Sequence, residues 1–124
     1  MNLNQVTLPS TDILRSIEFY CGMGFILIVD SPEYARFECP DGHSTFSVHL
    51  VSETMNNSNV VVYFESSRLD ELVLELQNKR YKFDQTPKDE EWLWREARLR
   101  DPDNNTLCLY YAGENRRFPP WRVE

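Results

Sequence analysis

The chain alternates hydrophobic and polar positions in two separated sets of short runs, and each set follows a segment of helical period. In the first half, Gln5-Val6-Thr7-Leu8 reads as a strand, and Ser10-Thr11-Asp12 offers helix N-caps ahead of an apolar face of Ile13, Leu14 and Ile17. Gly22 and Gly24 end that helix before the strand Phe25 to Val29. The runs Tyr34 to Glu38 and Ser44 to Val51 then alternate as half-buried strands do. The second half repeats the order. Val60 to Glu65 is strand-like, and Leu69, Leu72, Val73 and Leu76 fall at i, i+3, i+4 and i+7 behind a Ser67/Asp70 capping box. Lys79 and Arg80 close the helix, where cations suit its dipole. Phe83 begins a short strand, Thr86 to Glu91 reads as a charged loop, and Trp94 to Arg100 and Thr106 to Tyr111 form a last hairpin.

The two hairpins echo each other in sequence. Ala35-Arg36-Phe37-Glu38-Cys39-Pro40-Asp41-Gly42-His43 matches Ala97-Arg98-Leu99-Arg100-Asp101-Pro102-Asp103-Asn104-Asn105, each a strand, a Pro-Asp turn and another strand. The pattern therefore predicts an α+β domain of two tandem βαβββ modules, about 3–52 and 59–111, with a polar linker from Glu53 to Asn59. A pair of such modules is expected to form a curved mixed sheet around a cleft. Residues 112–124 differ in kind. Phe118, Pro119, Pro120 and Trp121 suit an extended clamp against the body or a second subunit, with Arg116, Arg117 and Arg122 in salt bridges.

Composition narrows the chemistry. The 124 residues carry 13 Lys+Arg against 20 Asp+Glu, a net charge of −7, which argues against nucleic-acid and anionic-membrane partners. Three cysteines without CxxC spacing, and a polar start at Met1-Asn2-Leu3-Asn4-Gln5, lead to the expectation of a cytoplasmic protein with reduced thiols. With two histidines, His43 and His49, no single chain assembles a three-histidine zinc site, and a four-cysteine site is equally excluded.

Gln5 to Asp12, followed by Phe19-Tyr20-Cys21-Gly22-Met23-Gly24-Phe25, resembles the opening of the vicinal oxygen chelate superfamily, which contains glyoxalase I, bleomycin-resistance proteins and extradiol dioxygenases. Arg100 to Leu109 resembles its closing hairpin, usually Asp-Pro-Asp-Gly-Asn before an apolar strand. The resemblance implies metal-ligand positions at Gln5, His49, Val61 and Cys108. Here valine stands where a histidine is usual, and His49 and Cys108 stand where glutamates are usual. Homodimerisation is likewise an implication of the resemblance.

Strand parity places Gln5 with Thr7, Ser47 with His49 and Cys108 with Tyr110, so Gln5, His49 and Cys108 form a candidate metal set. The alternative has Gln5 and His49 hydrogen bonding to each other or to a ligand and Cys108 packing as a small hydrophobe. The residue types favour that metal-free alternative, because Val61 is no ligand and no carboxylate remains at these positions. His43 follows Gly42 in a turn, and Cys21 and Cys39 lack the basic surroundings of a nucleophile. Trp92 and Trp94 share parity and are candidates to stack on a planar or cationic ligand, with Arg95 or Glu96 at its polar end; packing against the core or a dimer partner is the other use. Tyr63 and Tyr110 have the parity to join them.

Three functions compete. One is a binder of a small organic ligand resembling bleomycin-resistance proteins, whose acidic surface suits a cationic ligand. Another is a metal-dependent lyase, isomerase or dioxygenase of glyoxalase type using Gln5, His49 and Cys108, with a divalent metal as cofactor. The last is a structural or regulatory domain.

Overall fold

The computed structural model describes residues 1–53 and 58–123, so four of the linker positions lie outside the described residues. The order is β1 (Gln5–Ser10), α1 (Ile13–Gly22), β2 (Ile26–Ser31), β3 (Tyr34–Glu38), β4 (Thr45–Leu50), β5 (Val61–Glu65), α2 (Leu69–Asn78), β6 (Phe83–Asp89), β7 (Arg95–Arg100) and β8 (Thr106–Tyr111), then a short 3-10 turn at Gly113–Arg116. The strands make two four-stranded mixed sheets, ordered β1-β4-β3-β2 and β5-β8-β7-β6. In each the outer pair β1/β4 or β5/β8 is parallel and the remaining pairs are antiparallel. This is the α+β repeat expected from the pattern. No described helix is long and apolar enough to cross a membrane.

The chain divides into two compact units, Met1–Ser58 with Asp101–Asn105, and Asn59–Arg100 with Thr106–Glu124. In the first unit, Asp12 caps α1 by accepting from the Arg15 backbone N–H at 3.2 Å. The buried face of α1 is Ile13, Ser16 and Tyr20, whereas Leu14, read from the sequence as apolar face, is 75% exposed. Ser16 tolerates burial because its hydroxyl meets that of Ser10 at 2.7 Å. Tyr20 packs against Phe25, Phe37 and Phe46, with ring centroids 4.9 to 6.1 Å away.

The Asp-Pro-Asp-Asn-Asn turn between β7 and β8 belongs to this first unit. Asp101 accepts from the buried Tyr20 hydroxyl at 2.6 Å, from the Asn105 side chain at 2.8 Å, and from the backbone N–H groups of Asp103 and Asn105 at 2.9 Å. Asp103 accepts from the Thr11 hydroxyl at 2.6 Å and its N–H at 3.0 Å, and Asn105 donates to the Pro9 carbonyl at 3.1 Å. Asn104 takes φ +68°, the left-handed conformation that asparagine accepts most readily after glycine.

In the second unit α2 buries Leu69, Val73 and Leu76, and Ala97 and Leu99 of β7 and Leu107 and Leu109 of β8 are buried as well. The expected Ser67 capping box does not form: Arg68 occupies the cap position without a side-chain bond, and Ser66 Oγ accepts from the Arg68 N–H at 3.2 Å. Strand β6 runs on to Asp89, through most of the span read as a charged loop. It is an edge strand whose register shifts twice, and an edge tolerates Pro87.

Candidate functional site

Each sheet has one face against its helix and one face away from it, and the candidate residues fall mainly on the faces away. In the first unit Gln5, Thr45 and Ser47 share that face with Tyr34 and Arg36 of β3. The Gln5 amide is engaged at both ends: Nε2 donates to Ser47 Oγ at 2.7 Å, and Oε1 accepts from the Thr45 hydroxyl. Ser47, fully buried, lies 2.5 Å from the Tyr34 hydroxyl, which also accepts from Arg36 Nε at 2.9 Å. The Ser47 hydrogen bond outweighs burial, and together with the Arg36 guanidinium it lowers the Tyr34 phenol below its ordinary range. His49 sits at the exposed end of β4, in register with Tyr34. His43 is exposed beside Gly42, as its turn setting implied.

In the second unit Cys108 is wholly buried, in register with Tyr63 on one side and Arg98 on the other. Burial, and then the neighbouring Glu96 carboxylate, push its thiol up to about 12, so at neutral pH it is a protonated thiol. Glu96, 2% exposed, is the buried carboxylate of this face. Its Oε2 accepts from the Trp92 indole N–H at 2.7 Å and its Oε1 from Arg98 Nη2 at 3.1 Å. The same Arg98 nitrogen lies 3.4 Å from the Tyr63 hydroxyl. Beside this pair, Trp94 stacks on Tyr110 at 4.7 Å, and Tyr63 meets both edge-on at 5.8 and 5.5 Å.

Trp92 and Trp94 reach this face by different routes. Trp94 directly precedes β7, whereas Trp92 lies in the tight turn before it, where Leu93 has φ +69°. Arg95 goes the other way. It pairs with Asp70 at 2.9 Å and Asp89 at 3.0 Å, and it lines a 260 Å³ depression beside the start of α2 rather than the face of Trp94 and Glu96. Of the two residues expected at the polar end of a ligand, Glu96 is grouped with the aromatics and Arg95 lies apart from them. Arg98 was not read as a site residue, although its echo at Arg36 and its parity with Trp94 carried the signal. Tyr34 and Ser47 needed the β3/β4 register, which no local pattern gives.

The donors at the family's metal positions do not fit a divalent ion. The Gln5 oxygen already accepts a hydrogen bond, Cys108 is a buried thiol raised by burial and by the Glu96 carboxylate, and Val61 has no donor atom. Among the described residues no three His, Cys, Asp or Glu side chains gather into a group able to hold a metal. In the tail, Arg117 and Arg122 lie over the Phe118 ring at 5.0 and 4.8 Å and form no salt bridge among the described residues, and Phe118 and Trp121 are 56% and 57% exposed.

The model of the Glyoxalase/Bleomycin resistance protein/Dioxygenase superfamily matches residues 2–109. The chain belongs to that superfamily. An uncharacterized protein of Bacillus subtilis, YraH, is 29% identical over 89% of this chain and 98% of its own length. A glyoxalase/bleomycin resistance protein/dioxygenase from Nocardioides superposes with a TM-score of 0.80 at 19% identity, covering 100% of this chain and 90% of its own. A bleomycin-binding protein complexed with bleomycin gives 0.76 at 18% identity over 90% and 98% of the two chains. Lactoylglutathione lyase from Agrobacterium tumefaciens gives 0.73 at 12% identity over 89% and 92%. Superfamily membership thus spans a binder and an enzyme, and the choice between them rests on side chains.

Proposed function

We propose that this superfamily member binds a small organic ligand on the outward face of its second sheet, without the metal chemistry of its enzymatic relatives. The observation that carries this reading is the buried Glu96, held by Trp92 and Arg98 beside the Tyr63, Trp94 and Tyr110 rings. Burying the Glu96 carboxylate costs desolvation energy that a hydrophobic residue at the same place would not. Its presence next to exposed Tyr63 and Trp92, 43% and 44% accessible, suits recognition of a ligand with both a ring and a polar group. The bleomycin-binding relative is consistent with binding as the whole function.

The test pairs two measurements on one preparation. Metal analysis of protein purified without chelator is expected to find no stoichiometric zinc, nickel, manganese or iron; a metal lost in His49→Ala would replace this reading with the lyase or dioxygenase one. Thermal shift across a small-molecule collection is expected to yield ligands that quench tryptophan fluorescence, and Trp94→Phe is expected to weaken them. The reading includes a homodimer, supported by the exposed Phe118 and Trp121. Sedimentation showing only monomer at all concentrations would remove that part.

A further inference from the structure

The second-sheet face keeps unused donors on a guanidinium that stands beside its rings. Glu96 accepts from Trp92 and Arg98, and Glu65 Oε2 accepts from the backbone N–H groups of Ala112 and Gly113 at 2.9 and 3.0 Å. The guanidinium of Arg98 is not used up. All its contacts among the described residues run through Nη2, which leaves the donors of Nη1 and Nε, and its side chain is 31% exposed. An anionic ligand would find the forked donor of Arg98 beside three rings.

We infer that the ligand of this face is a planar aromatic acid, its carboxylate paired with Arg98 and its ring against the Tyr63, Trp94 and Tyr110 group. The inference rests on the ligand-binding reading above and names the class of ligand. It reverses what the acidic net charge of the chain suggests, because the local donors rather than the distant surface charges contact the ligand.

The experiment uses three matched probes, naphthoate, naphthamide and naphthylmethylamine, titrated into the full chain with tryptophan fluorescence and calorimetry as readouts. Naphthoate is expected to bind at least about tenfold more tightly than naphthamide, the scale of one charge-assisted fork. Arg98→Lys keeps a cation facing Glu96, so the fold is retained, but it loses the planar fork. It is expected to weaken naphthoate about tenfold while leaving naphthamide unchanged. Equal binding of the acid and the amide, or tighter binding of the amine, would overturn the inference and leave the binding reading standing. If Arg98→Lys fails to fold, the preference among the three probes in the unmodified protein decides alone. No binding by any of the three, at concentrations where a ring-only contact registers, counts against both.

Discussion

Replacing Tyr20 by Phe tests the buried hydrogen bond that ties the 101–105 turn into the first unit. The ring is kept, so packing against Phe37 and Phe46 survives, and only the hydroxyl 2.6 Å from Asp101 is lost. Tyr20 is fully buried and Asp101 is 5% exposed, so water does not replace the missing donor freely. A hydrogen bond to a charged acceptor contributes roughly 1.5–3 kcal/mol, and three donors to Asp101 remain, so the expected loss is about 2 kcal/mol at neutral pH. For a chain of this size that lowers the melting temperature by roughly 8 °C. The pH dependence fixes the interpretation. Burial raises the Asp101 carboxyl above its ordinary value, and the Tyr20 hydroxyl partly opposes that rise. The folded state therefore holds the Asp101 proton more tightly than the unfolded state, and this residue's contribution to stability falls as pH rises through its folded pKa. Without the hydroxyl the folded pKa climbs further, so the gap between variant and parent is largest at neutral pH and narrows in acid. Urea denaturation followed by circular dichroism, at about pH 7.5 and again near pH 5, measures both. A loss below about 0.5 kcal/mol at neutral pH, or a gap that widens on acidification, would refute the reasoning.

Other outcomes follow from the two outward faces. Arg98→Met leaves the buried Glu96 carboxylate without its cation and is expected to cost about 2–3 kcal/mol in urea denaturation. Arg95→Met, whose partners Asp70 and Asp89 are exposed, is expected to change the midpoint little, and equal losses in the two variants would contradict the burial argument. In native protein at mildly alkaline pH, iodoacetamide should label exposed Cys21 and spare Cys108, whose thiol is pushed up to about 12; mass spectrometry finding both labelled at one rate would be the contrary result. An absorbance titration of tyrosinate should show one tyrosine ionising below the ordinary range and missing in Tyr34→Phe, with Arg36→Met moving it upward. A Tyr34→Phe curve superimposable on the parent would exclude that assignment.

The periodic signals were strong where one face of an element is buried. Leu69, Val73 and Leu76 at helical spacing, and Ala35 with Phe37 at strand spacing, are buried as their positions imply. The Ser67 capping box does not form because the helix begins one residue later, with Arg68 at the cap position and its N–H bonded to Ser66 Oγ. Arg95 and Glu96 could not be separated from sequence, because a shift of one residue in where β7 begins exchanges their faces. Of the candidate site, Trp94, Tyr63, Tyr110 and Cys108 share a face by strand parity, which also holds the Glu96–Arg98 pair, while Trp92 reaches it from the turn before β7. Tyr34 beside Ser47, and Tyr20 bound to Asp101 across 81 positions, depend on pairings that no local window contains.

The interleaving of the 101–105 turn with the first unit has a consequence for how the protein is made. A ribosome that has released residues 1–58 has delivered β1 to β4 and α1, yet not the carboxylate that receives the Tyr20 hydroxyl nor the one that receives Thr11. The N-terminal unit stays incomplete until most of the C-terminal one has emerged, so its final closure comes late in synthesis. A fragment ending at the linker would carry a buried phenol with no acceptor, and a protease cut within the linker would leave the two pieces held together by the turn. The repeat that looks divisible in sequence is, as a product of translation, finished only as a whole.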